Sequence, residues 1–300
     1  MSPGSFDFDV PLRWVDLDAQ AHVNNAKVVD VLQEARVAFL LGGPNAHLLG
    51  DGVIVVGHQV EYLRSIDFTR EPLRVKLAIG HVGASRFTLG YEVQQAGVQV
   101  VRARTALCLF DFDAGRPARL KPDDRAWFAA HSTHLEPVRS LGAWEVGDEA
   151  HVHPFVVRWS DLDSYGHVNN VRFFDYVAEA RIALNAELLP RSIRSSLQGE
   201  VEHLWMVARQ DLHYVGQLEH RLEPYRVRTA VGHLGRTSLT KVAQIEDPLD
   251  GRVLARSLTV VVYAGADGRP APIPQAVRAA AERWPARHGL VANARGRAYR

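Results

Sequence analysis

Hydrophobic and polar positions follow two different spacings along the chain, and the same order of spacings occurs twice. Apolar residues recur every three or four positions after Asn25 and again after Asn170, which predicts one long helix, buried on most sides, in each half. Asparagine is a favoured N-cap, so each helix should begin at a pair of asparagines. The sequence Gly42-Gly43-Pro44 should end the first helix.

Each predicted helix is followed by segments rich in β-branched and aromatic residues, separated by turn signals such as Ala96-Gly97 and Asp250-Gly251. Such segments predict antiparallel strands joined by short turns. A helix followed by a strand meander is an α+β plan, in which the sheet should curl around the helix to cover it. The predicted strands are 53–62, 73–82, 87–94, 98–110, 201–214, 225–234, 238–245 and 253–263, with short strands at 10–14 and 155–159 and short helices at 122–130 and 274–284.

The two halves also share sequence, which makes the chain an internal duplication. Residues 13–25 read RWVDLDAQAHVNN and residues 158–170 read RWSDLDSYGHVNN, identical at nine of thirteen positions. The match continues at an offset of 145 through Glu-Ala-Arg at 34–36 and 179–181, and at an offset of 152 for residues 71–75 and 80–83. About seven extra residues therefore lie between 182 and 210. We predict domains at 1–140 and 150–285, a linker at 141–149, and a basic, disordered tail at 286–300.

Composition narrows the class of protein. Of 300 residues, 47% are hydrophobic and 23% charged, the balance of a soluble globular protein with room for two ordinary domains. The net charge of +1 gives no electrostatic reason to expect a nucleic-acid or membrane partner. No segment resembles a signal peptide or could span a bilayer, so a cytoplasmic protein is expected. Cys108 lies in an apolar strand-like run and is expected to be a buried hydrophobe.

The repeated motif is rich in Asp, His and Asn rather than in core residues, which points to chemistry. A carboxylate can act as a nucleophile or a general base, but aspartates also accept hydrogen bonds from backbone N–H groups in turns. For the first aspartate of each copy, Asp16 and Asp161, we expect the turn role. The free N–H groups and dipole of a helix start favour a developing negative oxygen. No metal site is expected, because no further ligand shows a suitable spacing.

The motif, the following helix with Glu-Ala-Arg and the strand meander together resemble the hotdog-fold thioesterases. The pattern is most similar to the 4-hydroxybenzoyl-CoA thioesterase-like branch, which includes acyl-CoA and acyl-ACP thioesterases. The resemblance covers both halves, from about residue 6 to 285. It implies two tandem hotdog domains, each a long helix wrapped by a curved antiparallel sheet, forming an internal pseudo-dimer. It further implies an acyl-CoA or acyl-ACP substrate, no cofactor and no metal.

The resemblance also assigns roles within the motif. The second aspartate of each copy, Asp18 or Asp163, is implied to activate water or attack the thioester carbonyl. The backbone N–H of Asn25 or Asn170, at the helix start, is implied to stabilise the oxyanion. His22 and His167 lie four residues after these aspartates. They are either part of the site, as in the acyl-ACP branch, or held in the loop by hydrogen bonds.

Differences between the copies favour the second as the working site, with Asp163 as the better candidate. Copy two has Gly166 where copy one has Ala21, and because glycine tolerates positive φ the two loops could differ in shape. At the acyl pocket that the resemblance implies, Phe173 and Phe174 replace two valines, Val28 and Val29. Glu34 and Glu179 lie mid-helix, where another branch of the fold carries its attacking carboxylate; a salt bridge to a distant arginine is the simpler role.

Two other functions remain open. A double hotdog could bind acyl thioesters without turnover, most plausibly through one half only. A hotdog hydratase or dehydratase fits less well, because that pattern requires Asn two residues and His five residues after its Asp. Those positions are Gln20 and Val23 in the first copy and Tyr165 and Val168 in the second. The double hotdog could also form a homo-oligomer.

Overall fold

The computed structural model describes residues 4–18, 21–189, 203–289, 291–292 and 298–299. The chain divides into two compact units, residues 1–138 and 139–300. The two units carry the two copies of the sequence repeat, and each has its own helix and its own antiparallel strands.

Unit 1 places one long helix against an antiparallel sheet of five strands in the order β1-β3-β4-β5-β2. Helix α1 packs on β1 and β3 through a buried stripe that includes Val28, Leu32, Ala35 and Phe39. The elements are β1 (Ser5–Val10), α1 (Asn25–Leu41), α2 (Leu48–Asp51), β2 (Val53–Tyr62), β3 (Leu73–Val82), β4 (Arg86–Gln95), β5 (Val98–Asp111), β6 (Arg116–Pro117) and α3 (Pro122–Ala130).

Unit 2 repeats this plan with strands in the order β9-β12-β11-β10-β8. Helix α4 packs on β8, β10 and β11, and its buried residues include Phe174, Val177, Ala180 and Leu184. The elements are β7 (Trp144–Val146), β8 (His151–Phe155), α4 (Arg172–Leu188), β9 (His203–Tyr214), β10 (Tyr225–Leu234), β11 (Ser238–Glu246), β12 (Val253–Gly265), α5 (Gln275–Ala281), β13 (Ala286–His288), β14 (Val291–Ala292) and β15 (Ala298–Tyr299).

The duplication extends to the register of the strands. In β3 the pairing with β4 shifts between Ile79 and Val82, and in β10 the pairing with β11 shifts between Val231 and Leu234. These positions correspond at the offset of 152, so the same bulge occurs in each sheet. The predicted α+β class, with tandem hotdog domains each built from a long helix and an antiparallel sheet, is confirmed.

Some predicted boundaries were wrong. The strands before the motif end at Val10 and Phe155, because the next residues turn into short 3₁₀ segments, Trp14–Asp16 and Trp159–Asp161. The long helices are also less completely covered than predicted, since Leu41 is 61% exposed and Ile182 47% exposed.

The segments outside the two sheets contain further pairing. The predicted linker 141–149 includes β7, which pairs with β13 at the start of the predicted tail. Residues 290, 293–297 and 300 of that tail, and residues 190–202, where the extra residues of the second copy were expected, lie outside the described residues. No helix in the described part of the chain is long and apolar enough to cross a membrane.

Candidate active site

In each unit the motif forms a tight loop that is fastened to the start of the long helix. The backbone N–H of Asp18 donates to the carbonyl of His22 at 2.8 Å, and that of Asp163 donates to His167 at 2.8 Å. The first aspartate then accepts from the helix start, because the N–H of Asn24 donates to the carbonyl of Asp16 at 2.8 Å. The equivalent bond in unit 2, from Asn169 to Asp161, is also 2.8 Å long.

The loop is closed by a residue in the left-handed region, and the two copies close it alike. Ala21 has φ +60° and Gly166 has φ +76°. Their N–H groups donate to the carbonyls of Asp18 and Asp163 at 3.0 and 3.1 Å. At the described residues the predicted difference in loop shape is not found, because Ala21 adopts a positive φ despite its Cβ and makes the same hydrogen bond as Gly166.

The first aspartates take the turn role that the sequence suggests. Asp16 is 4% exposed and accepts from the backbone N–H of Arg13 at 2.7 Å, while the Arg13 guanidinium pairs with its carboxylate at 3.1 Å. Asp161 accepts from the backbone N–H of Arg158 at 2.8 Å and from the Tyr176 hydroxyl at 2.8 Å.

Tyr176 is a contact of unit 2 that sequence reasoning missed. It is 8% exposed and stacks on Phe155, with ring centroids 4.2 Å apart. Burial, together with the hydrogen bond to Asp161, raises the pKa of the phenol well above its usual range, so the hydroxyl stays a donor. The equivalent residue in unit 1 is Val31, which has no polar group to offer.

The second aspartates are held by the loop itself. Oδ1 of Asp163 accepts the backbone N–H groups of Tyr165 at 2.9 Å and His167 at 3.3 Å. Within the described residues, Oδ2 of Asp163 makes no hydrogen bond. Oδ1 of Asp18 likewise accepts the N–H of His22 at 3.3 Å. These aspartates thus combine the turn role with a partly exposed carboxylate.

The histidines belong to the same loop. Nε2 of His22 lies 3.8 Å from Oδ1 of Asp67, and the two residues also form an isolated β-bridge. His22 and His167 are both half-buried, and both are bound through their backbone to the second aspartate of the copy.

The helix starts differ by two residues between the copies. Asn24 caps α1, its side chain accepting from the N–H of Ala26 at 2.9 Å, so Asn25 is the first helical residue. In unit 2 the side chain of Asn169 accepts from the N–H of Val171 at 3.0 Å, and α4 begins at Arg172. The intervening turn is tightened by an i to i+3 bond from Arg172 to the carbonyl of Asn169 at 2.9 Å.

A tyrosine at the end of a strand fixes each helix start, and it is not among the site residues predicted from the motif. The hydroxyl of Tyr62, the last residue of β2, donates to the carbonyl of Asn25 at 3.0 Å. The hydroxyl of Tyr214, the last residue of β9, donates to the carbonyl of Asn170 at 2.7 Å. The repeat itself, read at the offset of 152, is the signal that pairs these two tyrosines.

The other predicted site residues divide into buried and exposed groups. Phe173 and Phe174 are 3% and 0% exposed, and Phe173 meets the Tyr214 ring edge to face at 5.0 Å. Val28 and Val29 are equally buried in unit 1. By contrast, two predicted residues, Glu34 and Glu179, are exposed.

Unit 1 has a cleft away from the motif, and the described residues contain no group of metal ligands. An open cleft in unit 1, where Asn45 and His47 bond the Asp124 carboxylate at 2.6 and 3.1 Å, contains none of the motif residues. Among the residues that the structure describes, no three His, Cys, Asp or Glu side chains are grouped to hold a metal ion.

Comparison with known proteins identifies the family. The model of the thioesterase-like superfamily matches the chain twice, at residues 12–128 and 157–281, and the chain belongs to that superfamily. The structure is similar to the 12:0-ACP thioesterase from Umbellularia californica, at 18% identity and a TM-score of 0.63, covering 87% of this chain and 97% of that one. It is also similar to an acyl-ACP thioesterase from Bacteroides thetaiotaomicron, at 14% identity and a TM-score of 0.62, covering 86% and 97%. No curated protein matches the chain.

Proposed function

We propose that this protein hydrolyses acyl thioesters, with acyl-CoA as the substrate, and that unit 2 carries the principal site. Family membership supports thioester hydrolysis as the reaction class. The observation that carries the proposal is the loop of unit 2, where one oxygen of Asp163 accepts two backbone N–H groups and the other accepts no hydrogen bond from the described residues. A cytoplasmic location belongs to the same proposal.

Asp163 acts on water or on the thioester carbonyl carbon. As a general base it takes a proton from the attacking water, and as a nucleophile its carboxylate forms an anhydride that water then cleaves. Either route breaks the carbon–sulfur bond and gives a carboxylic acid and a free thiol. His167 lies in the same loop and can orient the water or protonate the departing sulfur.

The start of α4 stabilises the carbonyl oxygen as it becomes negative. The N–H of Asn170 lies two residues before α4, where the helix dipole favours an anion. The Tyr214 hydroxyl donates to the carbonyl of the same residue, Asn170, which fixes the orientation of this turn. Preorganised donors of this kind contribute about 3 kcal/mol each to transition-state stabilisation. Phe173 and Phe174 lie beside this turn, and because both are buried they contact the acyl chain only when the pocket opens.

The test is free-thiol release from short, long and aromatic acyl-CoAs, and from acyl-ACPs, by the wild type, Asp18→Asn and Asp163→Asn. Loss of turnover in Asp163→Asn with little change in Asp18→Asn supports the proposal. Turnover of acyl-ACP without turnover of acyl-CoA would mean that the carrier of the acyl group is ACP and not CoA. If the folded protein binds acyl-CoA without releasing thiol, it is a binding module, and hydration of crotonyl-CoA without thiol release identifies a hydratase.

A further inference from the structure

An exposed aromatic pair stands beside the active-site loop of unit 1. Trp14, in the 3₁₀ segment that leads into the motif, is 74% exposed. It meets the ring of Phe68 edge to face, with centroids 5.5 Å apart and planes at 85°. This contact fixes the orientation of the indole while leaving most of its surface in water. A tryptophan held in this way is a flat, preorganised surface for a planar ligand.

Unit 2 repeats the pair at the equivalent positions. Trp159 is 75% exposed and meets the ring of His220 at 5.3 Å and 85°. Phe68 and His220 correspond at the offset of 152, as Trp14 and Trp159 do at 145. Scattered apolar residues on a surface need no explanation, but one aromatic geometry built twice at the same place is a feature of the site.

The pair in unit 1 is connected directly to the proposed catalytic loop. Phe68 follows Asp67, which forms a β-bridge with His22. Ile66, one residue earlier, accepts the N–H of Val23 at 2.9 Å. The aromatic pair therefore lies beside the loop that carries Asp18, at the rim of that loop, with Phe68 on the segment 63–71 that follows β2.

The same segment carries two exposed arginines in unit 1, whereas the arginine of the unit 2 segment, Arg221, is half-buried and forms an ion pair with Asp247 at 2.7 Å. Arg64 and Arg70 flank Phe68 and are both exposed. Gly216 and Leu222 occupy the equivalent positions of unit 2. The acids of the segment in unit 1 are Asp67, which faces His22, and Glu71. A guanidinium fits phosphate oxygens through paired N–H donors, and its delocalised charge is weakly hydrated.

We propose that Trp14 stacks on the adenine ring of coenzyme A, with Arg64 and Arg70 receiving its phosphates. This inference rests on the proposed function and names the part of the substrate that the unit 1 rim recognises. An exposed indole suits a purine, and exposed arginines on the segment that carries Phe68 suit its phosphates. The unit 2 pair lacks these cations and binds the nucleotide more weakly.

The first test needs no turnover, so its failure is distinct from failure of the proposed function. Adenosine 3′,5′-bisphosphate, a fragment of coenzyme A, is titrated against tryptophan fluorescence in the wild type, Trp14→Ala and Trp159→Ala. Saturable quenching that is lost in Trp14→Ala and kept in Trp159→Ala supports the inference. Arg64→Ser with Arg70→Ser should weaken the same binding and make it less sensitive to salt. No saturable quenching in the wild type, or equal quenching in Trp14→Ala, overturns it.

The second test compares substrates that share the thioester and differ in the nucleotide. With Asp163→Asn as the background, so that the turnover measured comes from unit 1, the ratio of kcat/KM for an acyl-CoA to kcat/KM for the same acyl-pantetheine should fall about tenfold in Trp14→Ala, since stacking on an aromatic side chain contributes on that scale. A ratio equal to that of Asp163→Asn alone overturns the inference. So does a loss seen with acyl-ACP and not with acyl-CoA, which would make the rim a surface for the carrier protein.

Discussion

The two units use one backbone design with different side chains around it. The loop hydrogen bonds, the helix cap and the strand-end tyrosine agree between them to within a few tenths of an ångström. The residues that hold the first aspartate differ: Arg13 forms an ion pair with Asp16, whereas the Tyr176 hydroxyl binds Asp161. The backbone geometry of a site can thus be inherited twice while its electrostatic surroundings diverge.

The cores have diverged in the same way. Lys241 on β11 is 2% exposed and stands where unit 1 has Leu89. Its ammonium group donates to the Arg181 carbonyl at 3.2 Å and to the side chain of Asn185, whose counterpart is Leu40. Burial, and then the charge of Arg181, lower the pKa of Lys241 well below its usual range. Two positions that are buried and apolar in unit 1 are therefore polar in unit 2.

The activities of the two units are best distinguished by removing the carboxylate of the second aspartate of each motif, Asp18 or Asp163. Asp163→Asn should lower kcat by about 100-fold or more, because positioned general bases contribute about 10² to 10⁴. Asp18→Asn should have a smaller effect, if unit 2 carries the principal site. Steady-state thiol release measures both, with circular dichroism to check folding. Equal losses in the two variants would mean that both sites work.

The tether from α4 to the first aspartate should matter for stability as well as for rate. Tyr176→Phe keeps the ring stacked on Phe155 but removes the hydroxyl, and bonds to a charged group contribute about 2 kcal/mol. Urea unfolding should show a loss of that size and kcat should fall, with KM changing less. Val31→Ile in unit 1 is the matched control, since that position offers no hydrogen bond. Full activity in Tyr176→Phe would show that the tether is only structural.

The buried lysine predicts a pH dependence of stability that belongs to unit 2. The folded-state pKa of Lys241 lies below its unfolded value of 10.5, so in the interval between them the unfolded state binds the extra proton. This group therefore makes stability rise with pH, by up to about 1.4 kcal/mol per pH unit, within that interval. Lys241→Leu combined with Asn185→Leu restores the pair found in unit 1. Urea unfolding at several pH values should show a flatter profile for this double variant, and an unchanged slope would contradict the prediction.

The smallest effects concern the residue that closes each loop. Ala21→Gly should stabilise unit 1 by about 1 kcal/mol, because glycine adopts positive φ without a steric cost. Gly166→Ala should destabilise unit 2 by a similar amount through backbone strain alone, since an added Cβ would meet no atom within 4 Å. Thermal unfolding of the two variants gives opposite signs, and two shifts of the same sign would contradict this account.

Much of the fold could be predicted because the information is local. Strands Val53–Tyr62, Leu73–Val82 and Tyr225–Leu234 and helix Pro122–Ala130 have the predicted bounds, since their spacing and turn residues specify them directly. The strand ends before the motif could not be predicted, because the 3₁₀ turn depends on the Asp16 and Asp161 side chains accepting N–H groups three residues earlier.

The site residues inside the repeated motif could be predicted from the sequence. Those that reach the site from distant parts of the chain could not. The motif itself shows the aspartates, histidines and asparagines. Tyr62, Tyr176 and Tyr214 could not be found in this way, because each reaches the loop or helix start only through tertiary structure, 15 to 44 residues away in sequence.

Lys241 also provides a natural chemical label. The sequence contains four lysines, and the other three, Lys27, Lys76 and Lys121, all lie in unit 1. An amine-directed reagent can modify the buried Lys241 only when unit 2 opens, whereas the Lys121 side chain is 62% exposed and can react at once. The rate at which Lys241 is acylated, followed by mass spectrometry of its peptide, would therefore time the opening of unit 2 in the intact protein.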